Sequence, residues 1–121
     1  MMRLHITIVF LVIISSSATS QITGKWKYKN SKTTLVAQIQ EQDELFYGEI
    51  IEATPKKYEK QYLGIFMTNF KKKKPNKYTG NFVIDKKQQY KGTLKIINKN
   101  TIELSYKWGM LTQKDTWTKI K

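Results

Sequence analysis

Beyond residue 21 the chain alternates apolar and polar positions with period two almost throughout, and turn-forming residues interrupt the pattern at short intervals. That combination predicts a meandering antiparallel sheet. A first strand, Thr23 to Lys29, sets Trp26 and Tyr28 against Lys25, Lys27 and Lys29, so one face is aromatic and the other charged. A second, Thr33 to Gln40, sends Leu35, Ala37 and Ile39 to one side. After a polar turn at Glu41 to Asp43, a third strand from Glu44 to Glu52 is apolar on both faces over Leu45, Phe46 and Tyr47. Gly48 in its interior predicts a bulge or a bend.

Ala53 to Gln61 holds Pro55 and three lysines and reads as a loop. The fourth strand, Tyr62 to Phe70, directs Leu63, Ile65 and Met67 one way and Phe66 and Phe70 the other. Lys71 to Lys74 follow, then Pro75 and Asn76. Four adjacent like charges repel one another, so this tract reads as a solvated hairpin loop. Further strands are expected at Tyr78 to Asp85, Gln89 to Ile97, Thr101 to Trp108 and Gln113 to Ile120, with turns at Lys86 to Gln88, Asn98 to Asn100 and Gly109. Eight short strands with short connections predict an all-β domain, a small barrel or a strongly curled sheet. Closure also removes the exposed edges of the sheet.

The first twenty residues follow a different grammar. Arg3 and His5 precede an apolar run from Ile6 to Ile14, and small polar residues fill Ser15 to Ser20. This order predicts a signal peptide, with Ala18 and Ser20 placed for cleavage before Gln21. Nine helical residues span only about 14 Å, roughly half of a hydrocarbon core. The run is therefore too short for a membrane anchor, and no transmembrane segment is expected once it is cut. The chain has no cysteine, which excludes a lipid-modified leader and any disulfide. The expectation is an exported domain, in periplasm or medium, over residues 21–121, held by core packing alone.

Losing Arg3 with the leader lowers the net charge from +13 to 13 − 1 = +12. Every remaining base is lysine. Two readings of this charge stand side by side. It suits an anionic envelope surface, with Lys71, Lys72, Lys73 and Lys74 as contacts. It equally suits a sheet coated with lysine against edge pairing. Specific nucleic-acid recognition is not expected, since bidentate readout of phosphate or guanine uses the guanidinium fork that lysine lacks.

Several landmarks, in this order, resemble the domain of unknown function 2147 family of exported bacterial proteins. They are Gly24-Lys25-Trp26, Phe46-Tyr47-Gly48-Glu49-Ile50-Ile51, Leu63-Gly64-Ile65, Tyr78-Thr79-Gly80, Ile84-Asp85, Tyr90-Lys91-Gly92 and Trp117-Thr118-Lys119. The resemblance implies export and a β-domain, and no activity comes with it. Departures from the family pattern lie at Ala53 to Gln61, where an acidic, Pro-rich segment is usual, at Asn81, at Lys86 and at Lys119. Gly24-Lys25-Trp26 is also similar to the Gly-x-Trp opening of lipocalins and related calycin barrels. That likeness implies a tryptophan closing the barrel floor with a basic residue of the last strand across it, here Trp26 and Lys119.

Candidate chemistry is sparse. Beyond residue 21 there is no His, Cys or Arg, so serine triads, thiol nucleophiles and histidine-based zinc sites are excluded. Nine carboxylates remain, most of them at turns and exposed loops, where solvation is their role. Glu41, Asp43 and Glu44 crowd one turn without the glycine and converging oxygens of a calcium loop. No enzyme, metal or cofactor is expected. Trp26, Tyr28, Tyr47, Tyr90, Tyr106 and Trp117 are the informative class. They are placed either to line a barrel mouth for a small apolar or amphipathic ligand or to fill the interior of an eight-stranded barrel.

Overall fold

The computed structural model describes residues 21–84 and 88–120. The expected leader, and Asp85 with its turn, lie outside the described residues. Eight strands form one closed antiparallel barrel in which each pairs with its neighbours in sequence. They are β1 (Gly24–Lys29), β2 (Thr34–Gln42), β3 (Leu45–Thr54), β4 (Gly64–Lys74), β5 (Lys77–Ile84), β6 (Gln88–Asn98), β7 (Thr101–Trp108) and β8 (Leu111–Lys119). The barrel closes where β1 meets β8 through Trp26↔Lys119 and Lys27↔Thr118. Ile120 N–H adds a bond to Lys25 O at 2.9 Å.

Alternation does most of the work of sorting faces. On β1 and β2, Trp26, Leu35, Ala37 and Ile39 are buried while the intervening lysines and glutamines of β1 and the end of β2 are wet. The tightest packing gathers at one end, where Ile22, Trp26, Met67, Phe70, Tyr78, Leu94 and Ile102 are fully buried. Each aliphatic side chain so buried contributes about 1.5–3 kcal/mol. Phe46 meets Tyr78 edge to face with ring centroids 5.2 Å apart.

Strand β4 departs from the simple pattern. Gly48 pairs with Met67 but Glu49 with Ile65, and Phe46 pairs with Phe70, so β4 carries two extra residues against β3. Asn69 sits at a φ of 56° within the second bulge. A bulge switches the face that follows it. Met67 and Phe70 are accordingly both fully buried, where strict alternation would have sent them to opposite sides.

Two further expectations are corrected. Lys71 to Lys74 form the end of β4 rather than a loop, paired with β5 through Lys71↔Thr79, Lys72↔Tyr78 and Lys74↔Lys77. All four side chains are exposed. Water takes up their charge while the backbone bonds to β5, and the turn is left to Pro75 and Asn76. The segment read as a loop from Ala53 begins instead as the end of β3. It continues as a 3₁₀ turn, Lys56–Tyr58, and a single helical turn α1, Glu59–Tyr62, too short to show a helical period in sequence.

Candidate functional site

The two ends of the barrel differ. At the closed end Trp26 lies under the lumen and its Nε1–H donates to Ile22 O at 2.9 Å. Lys119 Nζ stands 4.8 Å from the Trp26 ring centroid and donates to Thr23 O at 2.7 Å. Burial lowers the Lys119 pKa, whereas the indole face and the Thr23 carbonyl favour the ammonium. Gly24 completes this floor. Its φ is +124° and a Cβ there would press on Lys119 Nζ, so the first position of Gly24-Lys25-Trp26 needs both glycine's freedom and its small size.

The opposite end is open. A cavity of about 300 Å³ runs from the mouth towards mid-barrel, at the lower edge of the range in which small-molecule sites fall. Its inner wall is aromatic: Tyr28 of β1, Phe66 of β4, Phe82 of β5, Tyr106 of β7 and Trp117 of β8 all line it. Phe66 stacks on Trp117 with centroids 5.6 Å apart, and Tyr28 tilts against Trp117 at 5.4 Å. Tyr106 packs on Phe82 at 5.8 Å. Leu35, Ile50 and Leu104 supply aliphatic wall, and Tyr62 and Leu63, at the end of α1, form one side of the mouth.

Glycine makes room for this wall. A Cβ at Gly92 would overlap the Phe82 ring, so the bare backbone of β6 lets that ring lie flat against it. Across the mouth, Asn30 Oδ1 accepts the backbone N–H groups of Lys32 and Thr33, both at 2.8 Å. Thr33 Oγ1 donates to Thr54 O at 2.7 Å. These bonds tie the β1–β2 turn to the end of β3 and hold the rim in shape.

Among the described residues, one carboxylate faces the cavity. Asp115 of β8, half-buried, pairs in register with Leu104 and accepts a hydrogen bond from Gln113 Nε2 at 3.3 Å. Burial raises its pKa from the ordinary 3.8, and side-chain hydrogen bonds with Gln113 and Tyr28 oppose the rise. Trp117 Nε1–H is buried without a hydrogen-bond partner among the described residues.

The sequence candidates therefore divide. Tyr28, Tyr106 and Trp117 line the cavity, and Trp26 closes the floor beneath it. Tyr90 leans on Tyr106 with centroids 5.5 Å apart and bonds to Gln88, outside the cavity lining. Tyr47 is neither ligand-lining nor core. Its neighbour Phe46 takes the inward position, so Tyr47 faces outward and its hydroxyl donates to Gln40 Oε1 at 2.9 Å. Phe66, Phe82 and Asp115 were not singled out. Phe66 is reached only through a bulge, and Asp115 stands in a polar run, Gln113-Lys114-Asp115-Thr116, that reads as surface.

Fold and cavity together define a lipocalin-like barrel, closed at one end and open at the other. Protein HP1028 from Helicobacter pylori, described as belonging to the lipocalin family, has a similar fold. The TM-score is 0.67 at 15% sequence identity, covering 83% of each chain. No protein-family model matches the chain, and no curated protein sequence does. Among the described residues no helix is long and apolar enough to cross a membrane, and no group of three His, Cys, Asp or Glu is placed to hold a metal ion.

Proposed function

We propose that this chain is an exported, non-enzymatic binder that takes a small apolar or amphipathic molecule into the open end of its barrel. The observation carrying this reading is the cavity of about 300 Å³ lined by six aromatic side chains. A barrel whose aromatics merely filled it would leave no such space. The lipocalin-like fold agrees with the reading but does not make it, since one fold hosts many functions. Export rests on the leader-like first twenty residues and on the motif resemblance to the domain of unknown function 2147 family. Both belong to the proposal.

Native mass spectrometry of protein purified from its own host tests the reading. A co-purified small molecule, released on unfolding, is expected, on a chain whose mass begins at Gln21. A clean apo mass, together with failure to take up a neutral naphthalene probe, would remove the ligand reading. A mass that includes residues 1–20 would remove export.

A second reading is favoured by one observation. Lys71, Lys72, Lys73 and Lys74 are all exposed on a paired strand end, at the floor end of the barrel and away from the cavity mouth. They concentrate positive charge at that end for an anionic envelope surface, a role compatible with ligand uptake at the other end.

A further inference from the structure

The cavity is electrostatically opposite to the molecule that contains it. Over the whole chain lysine and arginine outnumber aspartate and glutamate by 22 to 9. Among the described residues lining the cavity, none is a lysine, and Asp115 alone carries a formal charge at neutral pH. Resting on the proposal of a ligand-binding cavity, we infer that the ligand carries a cationic head, a protonated or quaternary amine on an apolar body, and that Asp115 is its counter-ion.

Three observations converge on this. An ionised carboxylate is an acceptor only, and Asp115 has its hydrogen bonds from Gln113 and Tyr28, neither of which brings a positive charge. Its carboxyl is held above the ordinary range chiefly by burial, the sign of a charge whose surroundings do not fully compensate it. Tyr28 and Tyr106 line the same cavity, and an aromatic ring attracts a cation more strongly once the cation is desolvated. A carboxylate and several π faces around one apolar space form a receptor for an organic cation.

The same groups select against the commonest amphipaths. A fatty acid or other anionic head would meet the Asp115 charge at reduced dielectric, where like charges repel more strongly than in water. Surface lysines attract such anions to the protein, but the described lining of the cavity offers them no ammonium.

Three probes with one naphthalene body separate the possibilities: 2-(1-naphthyl)ethylamine, 2-(1-naphthyl)ethanol and 3-(1-naphthyl)propionate, titrated by calorimetry at neutral pH into the wild type and Asp115→Asn. In the wild type the amine should bind at least about tenfold more tightly than the alcohol, a margin of about 1.4 kcal/mol, and the carboxylate most weakly. Asp115→Asn should bring the amine and the alcohol within about threefold of each other, chiefly by weakening the amine. An unchanged far-UV circular dichroism spectrum and a cooperative urea transition report that the variant is folded. An amine no tighter than the alcohol, or an advantage that survives Asp115→Asn, overturns the inference and leaves the ligand cavity standing. If no probe binds, the cavity reading falls and this inference with it.

Discussion

Lys119 Nζ lies 4.8 Å from the centroid of the Trp26 ring, and the two residues face each other across the β1–β8 seam as register partners. One contact thus seals the barrel sheet and its floor together. A lysine over an indole contributes about 0.5–1 kcal/mol even at an exposed site. Lys119→Met keeps the hydrocarbon cover of Trp26 and discards the charge. It also removes the bond to Thr23 O, so it should lower stability by at least that amount, measured by urea unfolding, while Lys119→Arg should lose less. Equal stability of all three proteins would show the contact to be energetically idle.

The two buried tryptophans should respond differently to the same change. Trp26→Phe removes the bond from Nε1–H to Ile22 O and leaves a buried carbonyl unpaired, at about 1–3 kcal/mol. Trp117→Phe removes a donor that has no partner among the described residues. Urea midpoints at constant m should therefore fall further for Trp26→Phe. A larger loss at Trp117 would place the energetic weight of that ring in its packing against Phe66 and Tyr28.

Asp115 makes stability depend on pH in an unusual direction. Its folded pKa is raised above the unfolded 3.8, so between these values the native state keeps a proton that the unfolded state has lost. By linkage, this group's contribution is most favourable below 3.8 and is lost as pH rises through the folded pKa. Asp115→Asn removes that loss. Thermal unfolding should show the variant gaining on the wild type at pH 7, and the gain shrinking as pH falls towards 3.8. A difference constant with pH would mean that the carboxyl titrates alike in both states.

The lysine row at the floor end should act through screened charge alone. Binding of the protein to phosphatidylglycerol vesicles should fall steeply as salt rises from about 50 to 200 mM. Replacing Lys71, Lys72, Lys73 and Lys74 by glutamine should weaken it further at low salt. Binding indifferent to salt, or to the replacement, would remove the second reading.

Much of the architecture is local and was therefore legible. Thr101–Trp108 is a strand because Ile102, Leu104 and Tyr106 alternate with polar residues over one unbroken run, and side-chain direction in a strand depends on nothing beyond the residue's own parity. Gly24-Lys25-Trp26 pointed to a floor only through its likeness to the opening of lipocalins, a motif short enough to lie within one strand.

What the chain alone left undecided is where along the barrel each inward position falls. Parity separates inside from outside, but height above the floor depends on strand stagger, which belongs to the closed barrel as a whole. That stagger puts Trp26 at the floor, Trp117 on the cavity wall and Asp115 at the mouth. The bulges of β4 bring in Phe66 against its local pattern. From its sequence neighbours Asp115 is one more surface carboxylate. Closure of the barrel places it in one cavity with Tyr28 of β1 and Tyr106 of β7, and that setting gives its charge a meaning.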